Sequence, residues 1–96
     1  MFDLPVKTKP QTTAANRFRN QLLDLGFSRV QFSVYAQYFP LASRVQTTVK
    51  QVKSQLPDGG DIRVIMISDY EWSHAIRFSN KKETKNEEMP TQLAIF

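Results

Sequence analysis

The chain contains no cysteine and a single histidine, His74. The first absence excludes disulfide staples, iron–sulfur clusters, thiolate zinc sites and cysteine nucleophiles together. The second weakens any histidine-based metal or triad scheme. No apolar run approaches the ~20 residues that cross a bilayer. Nor does the start combine basic residues, an apolar core and a small-residue cleavage site, so no export signal is visible. The expectation is a soluble cytoplasmic protein with no membrane association. What remains is 96 residues, room for one compact domain, with 41% hydrophobic and 23% charged residues. Thirteen Lys and Arg against nine Asp and Glu give a net charge of +4, a modest bias toward polyanionic partners. A domain of this size buries a limited fraction of its surface, so self-association would help stabilise it.

Phe2, Asp3 and Leu4 read as the end of a buried strand stopped by Pro5, which cannot donate to a ladder. The polar stretch 6–12 reads as a loop leading to a helix capped at Thr12 or Thr13. Ala14, Phe18, Leu22 and Leu25 then recur at helical steps, and Gly26 supplies a left-handed stop, predicting a helix over about residues 13–25. From Phe27 to Phe39 the pattern alternates. Val30, Phe32, Val34 and Ala36 take one side and Gln31, Ser33, Tyr35 and Gln37 the other, as in one long strand.

After Pro40, the positions Leu41, Val45, Val49, Val52 and Leu56 predict a second amphipathic helix of about four turns ending at Pro57. Asp58-Gly59-Gly60 is a turn signal. Residues 62–67 read as a buried strand, 75–79 as a shorter one, 81–88 as a charged loop, and the apolar end 90–96 as a further strand. The fold class is α+β. A β–α–β–β–α–β order would be ferredoxin-like, but it requires a break within the long strand, and the candidate is Gly26-Phe27-Ser28.

Several strings, in this order, resemble the CRISPR-associated protein two family: Phe2-Asp3-Leu4-Pro5, Phe18-Arg19 with Leu22, Gly26-Phe27, Gln31-Phe32-Ser33-Val34-Tyr35, and Leu56-Pro57 with Gly60, Arg63 and Ser68-Asp69. The closing Gln92-Leu93-Ala94-Ile95-Phe96 is similar to the tail of the type II branch. The resemblance spans nearly the whole chain. It implies a ferredoxin-like sandwich over residues 1–80 and a linker with a swapped strand over 81–96, which joins the partner's sheet in a homodimer. It further implies a subunit of the spacer-acquisition complex that bridges dimers of the integrase, CRISPR-associated protein one, on duplex DNA. Some members of the family are described as metal-dependent nucleases acting on single-stranded RNA or double-stranded DNA. One departure matters: the family's first strand carries several apolar residues ahead of its acidic position, whereas here Asp3 is the third residue.

Asp3 is the catalytic candidate. Its carboxylate suits Mg²⁺, a hard cation that takes one or two carboxylates and keeps waters, and two copies of Asp3 meeting across a twofold axis would share one ion. The alternative is that Asp3 accepts backbone hydrogen bonds in the loop before the helix. Asp69 with Glu71 is a lesser acidic candidate, against a turn-forming role for Asp69. His74, without a partner at readable spacing, reads as a surface or packing residue. Lys7 and Lys9 with Arg17 and Arg19, placed near the helix start, form a basic cluster for phosphate oxygens or else a solvated face. Arg29 and Tyr35 match positions linked in the family to nuclease function. Tyr35 either stacks on a base or packs at the dimer seam, which is favoured, and Leu93, Ile95 and Phe96 are expected at an interface. Gln46, Lys50 and Lys53 form either a DNA-tracking stripe or a solvent face. Tyr70 and Trp72 read as core or interface aromatics.

Overall fold

The computed structural model describes residues 1–86. Along them run β1 (Phe2–Asp3), α1 (Lys9–Asp24), β2 (Ser28–Gln31), β3 (Val34–Ala36), α2 (Ser43–Lys53), β4 (Asp61–Ile62), α3 (Asp69–Ser73), β5 (Arg77–Ser79) and β6 (Lys82–Thr84). The chain is α+β, and its strands form antiparallel pairs: β1 with β4, β2 with β3, β5 with β6. The expected strand over 90–96, with Leu93, Ile95 and Phe96, lies outside the described residues.

Helix α1 starts earlier than its apolar spacing predicts. Thr8, not Thr12 or Thr13, is the cap: its hydroxyl accepts the Gln11 amide at 3.3 Å, and Gln11 Oε1 accepts the Thr8 amide at 3.0 Å. This reciprocal pair is a capping box. Pro10, which reads as a loop residue, sits in the first turn, where its missing N–H costs no intrahelical bond. At the other end Gly26 adopts φ 99°, as its sequence position requires. The Gly26 amide bonds the Leu23 carbonyl and the Phe27 amide bonds the Leu22 carbonyl, each at 3.0 Å, completing a Schellman stop.

The long alternating segment is a hairpin. Its break falls at Phe32-Ser33 rather than at Gly26-Phe27-Ser28, and β2 also carries an irregularity between Arg29 and Gln31. Ser33 takes a left-handed conformation at φ 65°. Its carbonyl accepts the Phe2 amide at 3.1 Å, so the turn is tied to β1. The break removes Phe32 from the apolar face of Val30, Val34 and Ala36: those three are half-buried, whereas Phe32 is 76% exposed. With it, the first six elements follow the order β–α–β–β–α–β. The ladders remain separate two-stranded sheets among the described residues.

The core lies where α1 covers β1. Phe2, Leu4, Ala15, Phe18, Leu22 and Val52 are buried, with Leu25, Phe27, Tyr35 and Ile62 packed against them. Phe2 meets Phe18 edge-on, with centroids 5.3 Å apart, and stacks on Tyr35 at 5.7 Å. Burying a phenylalanine side chain of this kind contributes roughly 1.5–3 kcal/mol. Of the α2 face only Val52 is buried, and the helix stops at Lys53, before Leu56.

The segment 62–67 is not the buried strand its composition predicts. Beyond Ile62 the pairing ends in two bonds between Met1 and Arg63, at 2.9 and 2.8 Å, and Val64, Ile65, Met66 and Ile67 are exposed. β-Branched residues need a surface to be buried against, and among the described residues the β1–β4 ladder gives residues 64–67 no further pairing. The charged stretch after Ser79 is also not a loop throughout: β6 closes a hairpin through Asn80 and Lys81, both at positive φ as in a two-residue primed turn.

Candidate active site

Strand β1 points alternately inward and outward. Phe2 is buried and Asp3 exposed, and opposite them on β4 Ile62 is half-buried and Asp61 exposed. The register pairs Phe2 with Ile62 and Asp3 with Asp61. Directly opposed residues of an antiparallel pair have Cβ atoms about 4.5–5.5 Å apart. Two carboxylates therefore share one solvent-facing patch. Like charges so placed repel, and Arg63, 3.8 Å from the Asp61 carboxylate, offsets this only weakly because both side chains are well exposed.

The backbone around Asp3 is closely held. Gly60, at φ 78°, comes so near that a Cβ there would lie 2.6 Å from the Asp3 carbonyl oxygen and 2.6 Å from Leu4 Cδ2. Only glycine accepts both that dihedral and that approach. Turn 58–60 thus sets the height of Asp61 against Asp3.

Asp61 is the residue that sequence reasoning missed. Its signal was its place immediately after Gly59-Gly60, where the chain enters a strand, but its register against Asp3 is a tertiary property. Among the described residues no group of three or more His, Asp or Glu is arranged to hold a metal. The Asp3–Asp61 pair offers hard oxygens alone, which fits Mg²⁺ with a largely aqueous shell and does not fit a metal that requires nitrogen or sulfur donors.

The basic candidates are spread along the first helix and hairpin. Lys7 and Lys9 are exposed at the start of α1, but the Gln11 amide there is already taken by the Thr8 hydroxyl. Arg17 and Arg19 lie mid-helix, not near its start, because α1 begins at Lys9. Arg17 is exposed. Arg19 reaches β1: its guanidinium carbon lies 5.6 Å from the Phe2 ring centroid and 5.2 Å from that of Phe32, and its Nη1 donates to Asn16 Oδ1 at 3.1 Å. Arg29 is exposed on β2 opposite the half-buried Tyr35, whose ring is stacked on Phe2. Gln46, Lys50 and Lys53 face solvent on α2.

The second acidic candidate is a helix cap. Glu71 Oε1 accepts the Ser68 amide at 2.9 Å while the Ser68 hydroxyl accepts the Glu71 amide at 3.1 Å, and Asp69 opens the short helix. The Ser68 backbone N–H, then its hydroxyl, hold the Glu71 carboxyl below the ordinary carboxylate range. His74 stacks on Tyr70 with centroids 3.9 Å apart, and its Nδ1 lies 2.9 Å from the Tyr70 carbonyl oxygen. Tyr70 is exposed and Trp72 half-buried. Among the described residues no helix is long and apolar enough to cross a membrane.

Known proteins with this pattern carry a consistent description. A family model described as CRISPR associated protein Cas2 matches residues 1–75. A CRISPR-associated endoribonuclease Cas2 from Paracidovorax avenae is 40% identical over 96 residues, covering 100% of this chain and 89% of the relative. Proteins of the same name from Flavobacterium psychrophilum (34% identical; 99% of this chain, 83% of the relative) and Parvibaculum lavamentivorans (32%; 100% and 95%) are also similar. With the family pattern running from β1, which carries Asp3, past β4, which carries Asp61, the chain belongs to the CRISPR-associated Cas2 family.

Proposed function

We propose that the chain is a magnesium-dependent endonuclease that cleaves single-stranded RNA or double-stranded DNA in the cytoplasm. The observation that carries this reading is the outward-facing register of Asp3 against Asp61. The endoribonuclease name shared by the relatives supports the same activity. Asp3 and Asp61 are the residues that would hold the ion, through carboxylate oxygens on one face of the β1–β4 ladder. Once bound, the ion supplies an acidified water and neutralises charge on the scissile phosphate. Gly60 and the Phe2–Ser33 hydrogen bond hold the main chain on both sides of Asp3, so its carboxylate is positioned before substrate arrives. Lys7, Lys9, Arg17 and Arg29 offer exposed cations for the phosphate backbone.

The reading is tested by incubating labelled single-stranded RNA and duplex DNA with the full chain and magnesium, beside Asp3→Ala and Asp61→Ala. Cleavage should be lost in Asp3→Ala and reduced in Asp61→Ala. Unchanged cutting by Asp3→Ala would remove Asp3 from the chemistry and overturn this site.

A second reading concerns assembly. In it residues 1–80 form a ferredoxin-like domain whose first six elements supply the β–α–β–β–α–β order, two copies make a homodimer, and 81–96, within which β6 lies, serve as linker and swapped strand. The dimer then bridges copies of the CRISPR-associated protein one integrase on duplex DNA during spacer acquisition. What favours it is the exposed apolar run of residues 64–67, bordering an apolar groove of about 520 Å³ between β3 and α2. The two readings are compatible, since both require a phosphate-binding surface.

A further inference from the structure

Phe32 is 76% exposed at the tip of the β2–β3 hairpin, yet its ring is engaged from one side. The Arg19 guanidinium carbon lies over it at 5.2 Å and over the core ring of Phe2 at 5.6 Å, so one cation is shared between a buried ring and an open one. Asn16 fixes the guanidinium through Nη1 at 3.1 Å. Arg19 Nε is buried with no acceptor among the described residues. Below the tip, the Ser33 carbonyl accepts the Phe2 amide, tying the turn to the strand whose next residue is Asp3. The result is a layered arrangement of Phe2, Arg19 and Phe32, open to solvent at its outer end.

The geometry points to Phe32, backed by Arg19, as a stacking platform for an unpaired nucleobase of single-stranded RNA. This deepens the nuclease reading and rests on its nucleic-acid substrate. Every base has a π face, so an aromatic platform accepts a single strand with little sequence preference, and a cation behind the ring strengthens the stack. A duplex keeps its base faces stacked inside the helix and has none to offer such a platform. Of the two proposed substrates, the platform therefore selects single-stranded RNA.

The test is fluorescence anisotropy of a labelled oligouridine with the full chain in magnesium-free buffer, so that binding is read without cleavage. Phe32→Ala should bind about 5- to 150-fold more weakly, the range expected for loss of one base stack. Phe32→Trp should restore binding, and the slope of affinity against salt should stay that of the parent because no phosphate contact is lost. Duplex DNA should bind the parent and Phe32→Ala equally. The platform is overturned if the parent fails to bind oligouridine, if Phe32→Ala binds it as tightly as the parent, or if the loss is equal on duplex DNA. It is also overturned if the loss accompanies a change in sedimentation, which would make Phe32 a self-association contact. Thermal melting of Phe32→Ala should match the parent, since the ring is exposed. Phe32-dependent binding without any magnesium-dependent cleavage would remove the nuclease reading and leave the platform standing.

Discussion

The two ends of the described chain use similar residues in opposite ways. In the first part Phe2, Leu4, Phe18 and Leu22 are packed inside the chain, with α1 laid over β1. In residues 61–86 apolar side chains are as plentiful, yet Val64, Ile65, Met66, Ile67, Ile76 and Phe78 are exposed and none is buried. The difference is one of covering surface, not of composition. Helix α1 is long enough to shield the strand beneath it, whereas α3 spans only five residues and buries no side chain. Apolar residues without an internal cover suit contact with another chain.

The contrast is broken most severely in the covered half. Phe18→Ala should destabilise the fold by roughly 3–5 kcal/mol, the cost of an emptied aromatic site, measured by denaturant unfolding. Ile65→Ser, in the uncovered half, should shift stability by no more than about 0.5 kcal/mol while weakening self-association in sedimentation. Comparable losses from the two substitutions would mean that the halves are not different in kind.

Gly60→Ala probes the joint between them. The added methyl would meet Asp3 and Leu4 at a backbone dihedral that L residues disfavour, for a cost of roughly 1–3 kcal/mol. Cleavage should fall together with stability, since the same contact sets Asp3 against Asp61. A variant that melts early yet cleaves normally would separate the turn from the site.

The smallest effect lies in the capping box of α3. The Glu71 carboxyl is held below its ordinary value of 4.5 by the Ser68 amide and then the Ser68 hydroxyl. Its contribution is therefore present above that value and lost as pH falls through the lowered one. Amide resonances of residues 69–73 should shift toward disorder on acidification below 4.5 while those of α1, capped by uncharged Thr8 and Gln11, stay fixed. Equal pH response in both helices would count against the carboxylate as the cause.

Much of the first half was legible in the sequence. The recurrence of Phe18, Leu22 and Leu25 marked the buried face of α1, though Ala15 rather than Ala14 is its most buried alanine, and Gly26 marked its end. The capping box was present in the letters Thr8 and Gln11 but hidden by Pro10, which suits a helix's first turn as well as a loop. Asp3 stood out as an acid at the end of a strand. Its partner did not, because nothing local relates residue 3 to residue 61.

By itself the sequence determined the two long helices but not the short α3, and it also determined where α1 stops, the α+β class, and the absence of thiolate chemistry. These follow from side-chain periodicity, glycine conformation and composition, which act within a few residues. Only the tertiary structure decided that the long alternating segment turns at Phe32-Ser33. Neither residue is a turn former of the Asn-Gly kind, and the bond that ties the turn down comes from Phe2, some thirty residues away in the chain. It likewise decided which apolar residues are buried and that two aspartates face each other. Burial and register depend on what the rest of the chain brings alongside, and neither Phe32 nor Asp61 carries that information in its neighbours.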